Sequence, residues 1–228
     1  MSAMQVKICG INDAAGLDGS VRAGADLVGL VFFPPSPRAV VPAQAALLAQ
    51  RLPAAITPVG LFVDAEDSLI EAVLQEVPLR LLQLHGQETP ARCAAIRERF
   101  GVPVMKAIGI ATAEDFALLA DYAPVVDRFL LDAKPAPGAS LPGGNAMRFD
   151  WSLLAGRNIP RPWMLAGGLT PVNVAAAIRE SGAPGVDVSS GVERMRGVKD
   201  VVLMRAFVNA AKGRSSQPSL PPAPPPPA

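Results

Sequence analysis

The sequence predicts a closed parallel barrel built from eight β/α units. Short apolar runs alternate with longer amphipathic stretches along the whole chain, and eight such runs can be counted. The 228 residues, half of them apolar, match the roughly 200 to 250 residues of one such barrel. An open doubly wound sheet is the competing architecture, because alternation alone does not show closure. Against it, no G-x-G-x-x-G follows the first run.

The expected strands, in order, are MQVKIC (4–9), DLVGLVFF (26–33), TPVGLFV (57–63), RLLQLH (80–85), VPVMKAI (102–108), DRFLLD (127–132), PWMLA (162–166) and GVDVS (185–189). Helices are expected over 67–77, 88–100, 112–122 and 170–181, where apolar residues recur at three- and four-residue spacing. Thr112 with Asp115, and Thr170 with Pro171, supply N-cap and first-turn chemistry. Asp150 and Trp151 start a further helix, the acid capping it and the indole covering the barrel wall. The barrel domain therefore spans 1–212, and GRSSQPSLPPAPPPPA (213–228) is expected to be a disordered, partly polyproline II tail. That tail is either passive or a ligand for a proline-recognising partner.

With 21 basic and 20 acidic residues spread along the chain, no basic stripe offers itself to nucleic acid or a membrane surface. Cys9 and Cys93 fit no zinc spacing, and Cys93 lies inside an amphipathic helix where it packs, so neither a metal nor a disulfide is expected. No leader-like N-terminus and no stretch of about 18 apolar residues occurs, which points to a soluble, cytoplasmic protein with reduced thiols.

In a parallel barrel the working face is formed by the carboxyl ends of the strands. Those ends carry Cys9, Arg38, Asp64, His85, Asp132, the pair Gly167 and Gly168, and the run Ser189, Ser190, Gly191. Strand alternation puts Lys7 and Cys9 inward if Val6 and Ile8 face the helices, and makes Leu130 and Asp132 the inward set of strand six. Lys7 then has two roles open to it. It lowers the Cys9 pKa from about 8.5, as a thiol base needs, or it pairs with Asp187. The loops AGGLTPVN and GVDVSSGVE, with small residues and hydroxyls at the ends of strands seven and eight, suit a phosphate.

These residues stand in stretches that together resemble the phosphoribosylanthranilate isomerase family: KICGI, GADLVGLVFFPPSPR, GLFVD, LQLHG, LLD, FDW, AGGL and VDVSSGVE, in family order over nearly the whole chain except the tail. The resemblance implies a TIM barrel of the ribulose-phosphate-binding type and an Amadori rearrangement of a small phosphosugar, without metal or organic cofactor. It places the general base on Cys9, the general acid on Asp132, the anthranilate contact on Arg38, and the phosphate on Gly167, Gly168, Ser189, Ser190 and Gly191. Lys7, His85 and Asp187 line the substrate pocket, His85 as an inward hydrogen-bonding residue; Asp64 and Asp187 either orient substrate or pair with Lys7 and Arg38. One stretch departs from the pattern: GGNAMRFDW (143–151) has Asn145 and Ala146 where a hydroxyl residue and a glycine are expected. Two other readings remain: a phosphosugar barrel using a Lys106 Schiff base, and a non-catalytic barrel acting as a scaffold. A barrel of this size works alone or as a homodimer, and no interface pattern in the sequence decides between them.

Overall fold

The computed structural model describes residues 3–134 and 149–214. The GGNAMR stretch and the proline-rich tail, apart from its first two residues, therefore lie outside the described residues. Eight strands close into one ring in sequence order: β1 (Gln5–Cys9), β2 (Leu27–Val31), β3 (Thr57–Phe62), β4 (Leu81–Leu84), β5 (Val104–Ile110), β6 (Arg128–Ala133), β7 (Trp163–Leu165) and β8 (Gly185–Val188). All neighbours are parallel, and β1 pairs with β8 from Gln5↔Gly185 to Ile8↔Val188, which excludes an open sheet.

Helices cross back between strands: α1 (Ala14–Ala23), α2 (Pro42–Ala49), α3 (Asp67–Glu76), α4 (Pro90–Phe100), α5 (Leu118–Tyr122), α6 (Val174–Ser181) and α7 (Val201–Ala211). Their ends follow local chemistry. Asp13 caps α1 by accepting from the Gly16 amide, and Thr89 caps α4 by accepting from the Arg92 amide with Pro90 in the first turn. α1 and α4 both stop at a left-handed glycine, Gly24 and Gly101.

Three expectations about helices need correction. The 112–122 segment opens as a 3-10 helix (Ala113–Ala117) before α5, although Asp115 does accept from the Thr112 amide. The Asp150 cap leads only into a 3-10 helix (Trp151–Leu154), with the carboxylate taken by the Ser152 amide and hydroxyl. Helix α6 starts at Val174 instead of near Thr170. The Asn173 side chain accepts from the Thr170 amide and donates to the Gly168 carbonyl, which holds the intervening residues as a turn. Beyond β8 the chain forms a short antiparallel hairpin, β9 (Glu193–Met195) and β10 (Val198–Lys199), that no periodicity announced.

The ring separates two apolar layers. Val6, Ile8, Val28, Leu30, Leu82 and Leu84 face the helices, packing against residues such as Leu17, Ile70, Ile96 and Phe207. Leu27, Val59, Leu81, Met105, Leu130 and Met164 fill the inside. The interior is thus a packed core, and truncating a buried leucine such as Leu81 to alanine costs about 2 to 5 kcal/mol.

Candidate active site

The inward positions at the carboxyl end are polar where those deeper in the barrel are apolar. Cys9, at the end of β1, is 4% exposed, and Gly29 on β2 makes room for it: a Cβ at Gly29 would stand 2.7 Å from the Cys9 sulfur. Two residues earlier on β1, Lys7 is fully buried and donates to Asp187 Oδ1 at 2.8 Å across the β1–β8 seam. Of its two open roles, the ion pair is the one the geometry places. Asp187 and the thiol group hold the Lys7 ammonium above its usual pKa in spite of its burial.

Lys7 does favour the Cys9 thiolate, but the net shift of the Cys9 pKa is upward. Burial pushes the thiol up, and the Asp187 carboxylate adds to this, while the ammonium groups of Lys7 and Lys199 oppose it without prevailing. Cys9 therefore carries a thiol at neutral pH.

Asp132 projects inward from β6, three strands round the ring from Cys9 by way of β7 and β8. Its Oδ1 accepts from the Ala133 amide at 2.7 Å, and its Oδ2 lies 3.4 Å from His85 Nε2. The imidazole Nδ1 in turn meets Gln83 Nε2 at 2.8 Å. Gly167 runs beside this carboxyl with φ +87°, and a Cβ there would stand 3.1 Å from Asp132 Oδ1 and 2.7 Å from the Ala133 nitrogen. Gly167 thus shapes the surroundings of Asp132 as well as the loop after β7, and Gly168 follows with φ +60°.

The loops after β7 and β8 touch. A Cβ at Gly191 would fall on the Leu169 carbonyl oxygen, so only glycine lets them meet. Ser190–Val192 form a 3-10 turn whose opening amides, those of Ser190 and Gly191, have no acceptor among the described residues. The Ser189 hydroxyl is committed: it donates to the Cys9 carbonyl at 3.1 Å and accepts from Lys199 Nζ at 3.2 Å.

Arg38 lies across Gly10, 4% exposed, and grips Glu193 with two parallel bonds of 2.7 and 2.9 Å. Lys199 Nζ reaches the same carboxylate at 2.7 Å. Burial alone would raise the Glu193 pKa, but Arg38 and Lys199 hold it down to about 2. Burial lowers that of Lys199. Glu193 stands in the SSGVE stretch, yet neither it nor Lys199 was expected at the site, because both are delivered by the unforeseen β9–β10 hairpin. Gln83 was missed too, although the alternation that turns His85 inward turns Gln83 inward with it.

Other candidates fall elsewhere. Asp64 pairs with neither Lys7 nor Arg38; its carboxylate accepts from the Gln87 amide on the loop after β4. Lys106 faces the helix layer, where it donates to Glu88 Oε2 at 2.9 Å, so it cannot reach a ligand inside the barrel and the Schiff-base reading loses its nucleophile. Cys93 is buried in α4 with its thiol pushed up to about 11 by burial, as a packing residue. Among the described residues no cluster of three or more His, Cys, Asp or Glu could hold a metal, and no helix is long and apolar enough to cross a membrane.

A family model described as N-(5'phosphoribosyl)anthranilate (PRA) isomerase matches residues 6–210. An N-(5'-phosphoribosyl)anthranilate isomerase of Paramagnetospirillum magneticum is 57% identical over 210 residues, covering 92% of this chain and 98% of that protein. The crystal structure of the phosphoribosyl anthranilate isomerase from Thermotoga maritima superposes with a TM-score of 0.83 at 39% identity, over 92% of this chain and 99% of that one. A phosphoribosyl anthranilate isomerase in complex with reduced 1-(o-carboxyphenylamino)-1-deoxyribulose 5-phosphate superposes with a TM-score of 0.80 at 37% identity, covering 92% and 99%. With its closed barrel, its rim residues and this extent of likeness, the chain belongs to the N-(5'-phosphoribosyl)anthranilate isomerase family.

Proposed function

We propose that this chain converts N-(5-phosphoribosyl)anthranilate into 1-(2-carboxyphenylamino)-1-deoxyribulose 5-phosphate, a step of tryptophan biosynthesis, with Asp132 as general acid and Cys9 as general base. Asp132 gives its proton to the furanose oxygen; the C1–O bond breaks, and the anthranilate nitrogen lone pair moves in to form an iminium. The Cys9 thiolate takes the proton from C2, and that electron pair becomes the C1–C2 double bond of an enolamine. Tautomerisation to the ketone completes the isomerisation, which needs no external oxidant or reductant. Cys9 first gives its thiol proton to solvent, and the iminium adds a further positive charge to those of Lys7 and Lys199, so the thiolate is favoured once the substrate has opened.

The observation that carries this reading is the inward placement of Cys9 and Asp132 on β1 and β6, on facing sides of the ring. The touching loops after β7 and β8, with the Ser190 and Gly191 amides and the two glycines Gly167 and Gly168, would hold the phosphate. Arg38 would hold the anthranilate carboxylate by the guanidinium nitrogen that Glu193 leaves unused. A buried unpaired thiol as base fits the reducing cytoplasm. The test is to generate the substrate in situ and follow the loss of its anthranilate fluorescence. Cys9→Ser and Asp132→Asn should each slow turnover by about 10² to 10⁴; variants as active as wild type would sink the proposal.

A further inference from the structure

We propose that His85 is a positioning residue for Asp132, its Nε2–H aimed at the carboxyl and its tautomer fixed by Gln83. The inference rests on Asp132 being the general acid. A neutral imidazole carries one N–H, and the amide nitrogen of Gln83, a donor, faces Nδ1 at 2.8 Å. Nδ1 must then offer its lone pair, which leaves the proton on Nε2, 3.4 Å from Asp132 Oδ2. That separation is just beyond the about 2.7 to 3.2 Å of a formed bond, and such bonds tighten when a ligand arrives.

The surroundings are built for this aim. Gln83 is fully buried and its Oε1 has no partner among the described residues, so the bond to the ring is what holds this amide. The main chain on either side of His85 is clamped from the opposite face of the sheet. Lys106 Nζ donates to the carbonyls of Leu84 and Gly86 at 3.3 and 2.8 Å, and the Gly86 amide donates to the Glu88 carboxylate at 2.9 Å. The His85 amide itself donates to the Phe62 carbonyl at 2.8 Å. As Asp132 gives up its proton, negative charge grows on both carboxyl oxygens. The Ala133 amide already meets it at Oδ1, and the His85 ring meets it at Oδ2 by closing from 3.4 Å.

His85 is the only histidine in the chain, so the full-length protein, labelled with nitrogen-15 and made without a histidine tag, gives a single imidazole signal pair. At a pH where the ring is neutral, the expected spectrum shows a protonated Nε2 and a bare Nδ1, collapsing to a mixture in Gln83→Leu. Kinetically, His85→Ala should lower kcat roughly 10- to 100-fold while KM moves less than about threefold, and His85→Gln, which keeps an N–H, should recover part of the loss. A ring protonated on Nδ1, an unchanged kcat in His85→Ala, or a loss confined to KM overturns the inference. The underlying assignment fails separately: Asp132→Asn turning over like wild type would remove the acid, whatever the spectrum shows.

Discussion

Two lysine–carboxylate pairs are buried on opposite faces of one sheet with nearly the same geometry. Lys7 and Asp187 meet at 2.8 Å inside the barrel; Lys106 and Glu88 meet at 2.9 Å outside it. The inner pair joins the neighbouring strands β1 and β8 and lies beside the Cys9 thiol, so its charges act on a titrating group. The outer pair spends its remaining bonds on backbone, the carbonyls of Leu84 and Gly86 and the amides of Asp64 and Gly86, and so holds two loops. Burial and bond length do not distinguish them; strand parity does. A single shift of register would exchange an electrostatic neighbour of the site for a loop clamp.

The largest expected effects test whether the pairs are energetically alike. Lys7→Met and Lys106→Met each leave a buried carboxylate without its cation, and each should lose about 3 to 5 kcal/mol in urea unfolding; a neutral result for either would break the likeness. Glu193 sharpens it as a carboxylate shared by two cations. Its pKa in the folded protein is about 2 against an ordinary 4.5, so its contribution is complete above 4.5 and is lost as pH falls toward 2. In Glu193→Gln the fall of thermal stability across that window should flatten by about 2 to 3 kcal/mol, again read by melting.

A smaller effect separates the two lysines by function. Lys7→Met removes a cation that favours the Cys9 thiolate, so the half-point of Cys9 alkylation against pH should rise by about one unit or more, and Lys106→Met should leave it in place. Mass spectrometry of the Cys9 peptide keeps the signal apart from Cys93, whose pKa is about 11. The smallest is a reference for surface contributions: Thr89→Ala deletes the exposed cap of α4 and should cost about 1 kcal/mol.

The eight strands were legible because each is a short apolar run ended by turn residues, and Lys7, Cys9 and Asp132 were legible because one polar residue in such a run must point somewhere. Lys106 was harder. β5 is buried on both faces, so its sequence lacks the polar and apolar alternation that would mark the outward side. The bond from Gln83 to His85 follows from a period of two within LQLH and could have been read there. Glu193 and Lys199 could not, since their reach depends on how the β9–β10 hairpin folds over the barrel mouth. The sign of the Cys9 shift was missed because a neighbouring lysine is visible in sequence and the depth of burial is not. The late start of α6 turns on Asn173 taking the Thr170 amide, which Pro171, standing at the expected first helical position, had masked.

The Lys7–Asp187 contact joins residues 180 positions apart, the first strand to the last. During synthesis, therefore, Lys7 has no Asp187 to pair with until the eighth strand has left the ribosome. Closing the ring and forming this buried ion pair go together, so a nascent chain cut short before Asp187 carries seven of the eight barrel strands and leaves Lys7 without its carboxylate.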